Sequence, residues 1–252
     1  AVLSRPEPGA ARFAVAGFAA GFAASLDLPA AAFLAGLGLW LLARDWKRTL
    51  LAFAPAALVP VAGFLLTNHL AVGMWVPVQA KFDSAWYEYP GSHWVKPKGT
   101  PGIDFADEPK GVYAFHLLLG HHGVFSLMPV LLFSVAGMIR IAFGGRRPGG
   151  GVPRWVGVLA LAVSVAVTVF YVFKTNNYGG WTSGPRWLFW MIPLWLVCML
   201  PAAEWAGRTR PRRLLGYALL AASVFAVSYP VWNPWRHPWI YQMAEYYNWL
   251  RY

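Results

Sequence analysis

Charged side chains are scarce in this sequence, and cysteine is almost absent. Charged residues make up 12% of the 252 residues, whereas hydrophobic residues make up 58%. Soluble domains usually contain about a quarter of charged residues, so the composition excludes an ordinary soluble domain. The single cysteine, Cys198, lies within an apolar run, and a chain with one cysteine forms no intramolecular disulfide.

Long apolar runs occupy most of the chain, and several approach the ~20 residues that a helix needs to cross a bilayer. They predict an all-α fold, a polytopic transmembrane bundle of about seven spans in a single transmembrane domain over residues 1–252. The run 13–42 is too long for one span. Asp27 and Pro29 interrupt it near its middle, which predicts two short helices there. The other expected spans are 50–72, 124–143, 155–173, 187–206 and 214–229.

Basic residues collect in the short loops that this arrangement places on one side of the membrane. Thirteen of the 21 Lys and Arg lie there: Arg5, Arg12, Arg44, Lys47, Arg48, Arg140, Arg146, Arg147, Arg154, Arg208, Arg210, Arg212 and Arg213. The positive-inside rule then predicts a cytoplasmic N-terminus and an extracytoplasmic C-terminus. The same rule accounts for the net charge of +11, so the lipid bilayer is the expected partner and nucleic acid is not.

The segment 73–122 is predicted to be one long extracytoplasmic loop, and the tail 233–252 an interfacial segment. The loop combines several carboxylates with the tryptophans Trp75, Trp86 and Trp94. Aromatic faces and carboxylates together suit the recognition of a sugar. A belt of aromatic residues at the membrane interface explains the same composition more simply.

Three histidines stand near the end of this loop, in the sequence "FHLLLGHHGVFSLMP" (115–129). His116, His121 and His122 are five residues and one residue apart, which does not place three ligands on one helical face. We therefore expect no metal and no cofactor. His121 and His122 are predicted to donate to an anionic or hydroxyl-rich group, or to form a polar cap on the next helix. Gly120 and Gly123 favour a tight turn, re-entrant or interfacial.

The stretch "TNNYGGWTSGPRW" (175–187) connects two apolar runs. Gly179, Gly180 and Gly184 permit a sharp turn, and Pro185 suits the first position of a helix. Arg186 is then expected beside free backbone N–H groups, an arrangement that binds phosphate. An Arg side chain that extends to the headgroup phosphates of the bilayer explains the same position equally well.

Three segments carry a likeness to a known family: "GFAAGFAASLDLPAAAFLAGLGLWLLARDWKR" (17–48), "LLLGHHGVFSLMPVLLFSVAGM" (117–138) and "YGGWTSGPRWLFWMIPLW" (178–195). They resemble bacterial glycosyltransferases of the GT-C superfamily, which take a sugar from a polyprenyl-phosphate donor. The first is similar to the family's helical hairpin, the second to its G-x-x-G-x-F-S-x-x-P helix entry, and the third to its GGW-S-x-GPR stretch. The resemblance covers about residues 13–230.

The resemblance implies a multi-pass protein of the bacterial cytoplasmic membrane that transfers the sugar at the outer face to an unspecified acceptor. It implies a substrate-binding set of Arg186 as the donor-phosphate ligand, Lys174, His121 and His122 as further ligands, and Tyr178 and Trp181 at the entry for sugar or lipid. The family's catalytic carboxylate lies in a first outer loop without a counterpart here, so no catalytic residue is assigned. The chain also lacks an initial Met, and we expect the C-terminal portion of a longer enzyme.

A transporter or permease, or a membrane protein without catalytic activity, is the alternative. A transporter is expected to place charged or polar groups at mid-membrane. The predicted spans are nearly free of charge, and the polar residues collect at one interface. This distribution favours an enzyme that acts on a lipid at the membrane interface.

Overall fold

The computed structural model describes residues 9–77, 89–90, 108–144, 151–175 and 177–250. All regular secondary structure within these ranges is helical, which confirms the all-α prediction. Contacts divide the chain into two compact units, Ala1–Thr100 and Pro101–Tyr252. Most of the predicted loop 73–122 lies outside the described residues, and the single transmembrane domain stays a prediction.

In the first unit, the apolar run 13–42 forms two helices, as predicted. Helix α1 (Ala10–Leu26) and helix α2 (Ala31–Arg44) are separated by Asp27 and a 3-10 turn, Leu28–Ala30. Asp27 has an extended backbone, with φ −141° and ψ 109°, and Pro29 lies in the first turn of the 3-10 helix. A proline is tolerated at that position because its missing N–H would be unpaired there anyway.

The next helix runs without interruption over the 27 residues Trp46–Val72. It begins as α3 (Trp46–Arg48), continues through a π-helical turn at Thr49–Phe53, and ends as α4 (Ala54–Val72). Helix α1 packs closely on α4. A Cβ atom at Gly17 would overlap the backbone carbonyl of Phe53, and one at Gly21 would overlap that of Ala57. Small residues of this kind let two membrane helices approach each other backbone to backbone.

The second unit contains seven α-helices within its described residues: α5 (Lys110–Leu118), α6 (Val124–Leu127), α7 (Leu132–Phe143), α8 (Arg154–Lys174), α9 (Ile192–Gly207), α10 (Arg210–Ser228) and α11 (Trp239–Tyr246). Helix α7 packs against α8 and α9, and α10 packs against α9. A Cβ atom at Gly137 of α7 would overlap the carbonyl of Cys198, so this pair of helices also meets backbone to backbone. These helices support the turns that carry the polar residues described below.

The predicted span 124–143 is not one continuous helix. Helix α6 ends at Leu127, a 3-10 turn covers Pro129–Leu131, and α7 begins at Leu132. Met128 has φ −127° and ψ 66°, outside the helical region. The ring of Pro129 disfavours a helical conformation for the residue before it, which explains the break.

Among the described residues, three helices are long and apolar enough to cross a membrane: Trp46–Val72, Arg154–Lys174 and Arg186–Gly207. The last of these joins a 3-10 turn, Arg186–Met191, to α9. Many large apolar side chains on these helices are exposed, including Leu51, Phe170 and Leu196. Outward-facing apolar side chains of this density fit a membrane protein. The count of seven spans stays a prediction.

Candidate functional site

A tight turn ends helix α5 and folds the chain back on itself. We call residues 119–123 the histidine turn. The amide of Gly120 donates to the carbonyl of Phe115 at 2.9 Å, and the amide of Gly123 donates to the carbonyl of Gly120 at 3.1 Å. Ser126 Oγ also donates to the carbonyl of Gly120, at 2.6 Å. This reversal stacks the ring of His121 on that of His116, with centroids 4.0 Å apart.

Three buried histidines form a hydrogen-bonded chain beside this turn. Nδ1 of His121 lies 2.6 Å from Nδ1 of His122, and Nε2 of His122 lies 3.3 Å from Nδ1 of His237. Burial and the neighbouring histidines His116 and His237 lower the pKa of His121 to about 3. Burial, with the other histidines, also holds the pKa of His122 well below its usual value. The two adjacent rings are therefore neutral at physiological pH.

Tyr178 brings the glycine-rich segment (175–187) into contact with the histidines. Its ring stacks on that of His122 at 5.0 Å between centroids and on that of Tyr113 at 4.6 Å. Its hydroxyl group donates to a carboxylate oxygen of Glu108. Gly179 and Gly180 follow with φ of 108° and 75°, values that residues other than glycine rarely adopt. The two glycines turn the chain back to the surface.

Two further tyrosines enclose the cluster. The ring of Tyr241, from helix α11, meets the edges of the rings of His121 and His122, each at 5.3 Å between centroids. Tyr113, Tyr178 and Tyr241 pack with Leu117 into one buried apolar group. Burial raises the pKa of Tyr113 to about 12, so its hydroxyl group stays protonated.

Glu108, His116 and His121 form the one group in the described part of the chain whose side chains could hold a metal ion together. One ligand atom from each residue lies within 4.8 Å of the others. Nδ1 of His116 is buried and has no hydrogen-bond partner there. The spacing of five and one residues keeps the three histidines off one helical face only if the helix continues past His116. Because helix α5 ends at Leu118, the turn places His121 beside His116 instead of on another face.

Arg186 lies at the surface rather than among the histidines. It is the first residue of the 3-10 turn before α9, one position after the predicted start at Pro185, and its guanidinium group is 5.9 Å from the centroid of the Trp235 ring. Trp181 and Trp235 are exposed. The ring of Trp181 also contacts that of His237, at 4.8 Å between centroids. We call Trp181, Arg186 and Trp235 the rim.

The structure brings together four of the six residues predicted for the site. His121, His122 and Tyr178 share one buried cluster, and Trp181 touches it through His237. Arg186 belongs to the rim. Lys174 is exposed at the last position of α8, and its side chain joins none of these contacts among the described residues.

Four residues of the cluster were not predicted: Glu108, Tyr113, His237 and Tyr241. Tyr113 lies three residues before His116 on helix α5, so the two side chains share a helical face. The sequence spacing could therefore have predicted that Tyr113 lies beside the histidines. His237 and Tyr241 come from the tail, 115 residues or more beyond His122. The sequence "HPWIYQ" gives no local indication that these two rings return to the histidine turn.

An apolar groove of about 250 Å³ runs along helices α7 and α8. Its lining includes Leu118 and Val124, which flank the histidine turn, and Leu188, two residues beyond Arg186. Trp195 and Ser164 also line it, joined by a hydrogen bond of 2.8 Å from the indole N–H to the hydroxyl group. The groove therefore begins beside both the cluster and the segment that carries the rim.

Comparison with known proteins gives no significant match, whether with family models, with curated proteins or with solved structures.

Proposed function

We propose that this chain is the donor-binding part of a membrane glycosyltransferase that takes a sugar from a polyprenyl phosphate. The observation that carries the proposal is the position of Arg186. It is exposed beside Trp235 of the rim, at the start of a 22-residue helix that is long enough to cross a membrane. A lipid phosphate at a membrane surface meets a guanidinium group in such a place.

Each part of a polyprenyl-phosphate sugar has chemically suitable residues near the rim. The guanidinium group of Arg186 binds a phosphate through two hydrogen bonds. The exposed indole rings of Trp181 and Trp235 offer flat faces for a sugar or for the first isoprene units. The apolar groove that includes Leu188 offers a place for the lipid chain.

The rest of the reaction lies outside the described site. In this proposal transfer takes place at the outer face of the bacterial cytoplasmic membrane, and the carboxylate that activates the acceptor is not among the residues assigned to this site. Positively charged groups such as Arg186 stabilise the phosphate that departs, because they are aimed at the charge that develops on it. His121 and His122 are enclosed by aromatic rings, and they support the rim through His237 and Trp181.

Binding of a polyprenyl phosphate and of the uncharged polyprenol, measured on the purified chain in lipid nanodiscs, tests the proposal. We expect the phosphate to bind more tightly, and Arg186→Ala to lose at least tenfold in its affinity while polyprenol binding stays unchanged. Arg186→Lys should recover part of the affinity, since a single ammonium group replaces a two-pronged contact.

Arg208→Ala is the matched control. Arg208 is an exposed Arg just past the other end of the same apolar helix, about 33 Å from Arg186 by helical rise. If Arg186 is only a headgroup anchor, its substitution and that of Arg208 remove the same nonspecific attraction to anionic lipids. Equal binding of both lipids, or an equal effect of both substitutions, would contradict the proposal and favour the transporter or non-catalytic alternatives.

A further inference from the structure

The triad of Glu108, His116 and His121 has the composition of a known type of zinc site. Two imidazole nitrogens and one carboxylate oxygen are the protein ligands of several catalytic zinc ions, which keep a fourth position for water or substrate. One ligand atom from each of the three residues already lies within 4.8 Å of the other two. Exposed acidic groups often cluster without a metal, but here two of the three side chains are imidazoles, one on helix α5 and one in the histidine turn.

His116 supplies an independent observation. Its Nδ1 atom is buried without a hydrogen-bond partner among the described residues, and buried polar atoms of this kind are uncommon in native proteins. The imidazole takes this position only because residue 120 is a glycine: a Cβ atom there would lie 2.2 Å from Nδ1 of His116 and overlap it. A bound cation would satisfy this atom, because a neutral imidazole nitrogen offers a lone pair.

The surroundings of the triad provide the second layer of contacts that metal sites usually have. A metal-binding histidine generally engages its other ring nitrogen in a hydrogen bond, and a metal-binding carboxylate is hydrogen-bonded as well. Nδ1 of His121 is paired with His122 at 2.6 Å. Glu108 accepts a hydrogen bond from Tyr178.

From this geometry we propose that Glu108, His116 and His121 bind a divalent transition-metal ion, Zn²⁺. His116 coordinates through Nδ1, and His121 coordinates through Nε2, because its Nδ1 is engaged by His122. Ligand atoms around a tetrahedral zinc are about 3.4 Å apart, given bonds of 2.0–2.1 Å. The ligand atoms therefore need to approach by no more than about 1 Å each, and the rings of His116 and His121, now stacked at an interplanar angle of 18°, turn out of the stack so that both nitrogens face the ion.

The metal would connect three parts of the second unit. Glu108 precedes helix α5, His116 lies on it, and His121 lies in the histidine turn, while Tyr178 joins Glu108 to the glycine-rich segment. The inference does not depend on the proposed glycosyltransferase function. Zinc binding and lipid-phosphate binding are measured separately, so the failure of one is distinguishable from the failure of the other.

The test uses the purified chain, without a histidine tag, stripped of metal with a chelator and then titrated with ZnCl₂ in a calorimeter. We expect one Zn²⁺ per chain at micromolar affinity or tighter. Co²⁺ in its place should give the intense visible absorption of a four-coordinate ion. His116→Ala and Glu108→Gln should each weaken zinc binding at least tenfold.

Glu108→Gln keeps the size of the side chain and an oxygen that accepts from Tyr178, so it separates loss of the ligand from loss of the fold. His69→Ala is the matched control. Among the described residues, Nδ1 of His69 in the first unit is also buried without a hydrogen-bond partner, and no such triad surrounds it. It should leave zinc binding unchanged. The proposal is overturned by zinc binding that is absent, that is only millimolar, or that responds equally to His69→Ala and His116→Ala.

Discussion

The hydroxyl group of Tyr178 donates a hydrogen bond to the carboxylate of Glu108, across 70 residues of sequence. The same tyrosine stacks on His122 and Tyr113, so one side chain holds the glycine-rich segment, the histidine turn and the start of helix α5 together. Loss of this single side chain is therefore expected to loosen three separate pieces of the second unit.

Tyr178→Phe removes the hydrogen bond to Glu108 and keeps the ring contacts. A hydrogen bond to a charged group contributes about 1.5–3 kcal/mol, and since Glu108 is partly exposed we expect a loss of about 1–2 kcal/mol in the free energy of unfolding. Unfolding by a denaturing detergent measures it. Tyr246→Phe is the control, because Tyr246 is 80% exposed. The same loss in both variants would show that the contact with Glu108 is not the cause.

Gly179→Ala should destabilise the glycine-rich segment and weaken lipid-phosphate binding together. Gly179 has φ 108°, where a side chain costs about 1–3 kcal/mol, and its Cβ would lie 3.2 Å from Cγ of Arg186. The rim is displaced as a result. Thermal unfolding and polyprenyl-phosphate titration measure the two effects. Gly111→Ala, where a Cβ meets nothing within 4 Å, should leave binding unchanged. A Gly179→Ala variant with unchanged stability and binding would contradict this account.

Gly21→Val tests the close packing of helix α1 on α4 in the first unit. Its side chain would overlap the carbonyl of Ala57, and overpacking of this kind costs about 1–3 kcal/mol. The expected result is a lower unfolding temperature. Gly63→Ala, on the exposed side of α4, should raise stability by about 1 kcal/mol because Ala favours helix over Gly. If Gly21→Val unfolds at the temperature of the unsubstituted chain, the two helices do not meet at this residue.

Ser223→Ala removes the side-chain oxygen that accepts from the amide of Val130, a residue in the 3-10 turn after Met128. The Ser223 Oγ atom accepts this hydrogen bond at 3.0 Å, and it donates to the carbonyl of Leu219. An amide left unpaired in a buried place costs about 1–3 kcal/mol. Amide hydrogen exchange at Val130 should quicken. Ser228→Ala, exposed on the same helix α10, serves as control, and similar exchange in both variants would refute the assignment.

Helix-breaking residues in the sequence predict where a helix ends, even when they lie inside a continuous apolar run. Asp27 and Pro29 together signal the end of α1, and the structure confirms the two helices there. Pro129 carries the same kind of signal, yet the apolar run 124–143 was predicted as one span. The steric effect of proline on Met128 overrides the continuous hydrophobicity.

The functional cluster was only partly predictable, because its parts meet through tertiary contacts. His121 and His122 attract attention as a pair of polar residues in an apolar setting. Their relation to His116 depends on a turn that helical spacing does not describe, and their contact with His237 joins residues 115 apart. A pattern within one segment contains no information about which distant segment packs on it.

The two hydrogen bonds that link His121, His122 and His237 point the same way, from one end of the row of rings to the other. Each hydrogen bond between two neutral rings needs one N–H and one bare nitrogen, so the protons sit either all toward one end or all toward the other. A metal on Nε2 of His121 requires the proton on Nδ1 of that ring. His122 then carries its proton on Nε2, and so does His237. Occupancy of the zinc site would thus fix which nitrogen of His237 presents a donor beside Trp181, some three rings away from the ion.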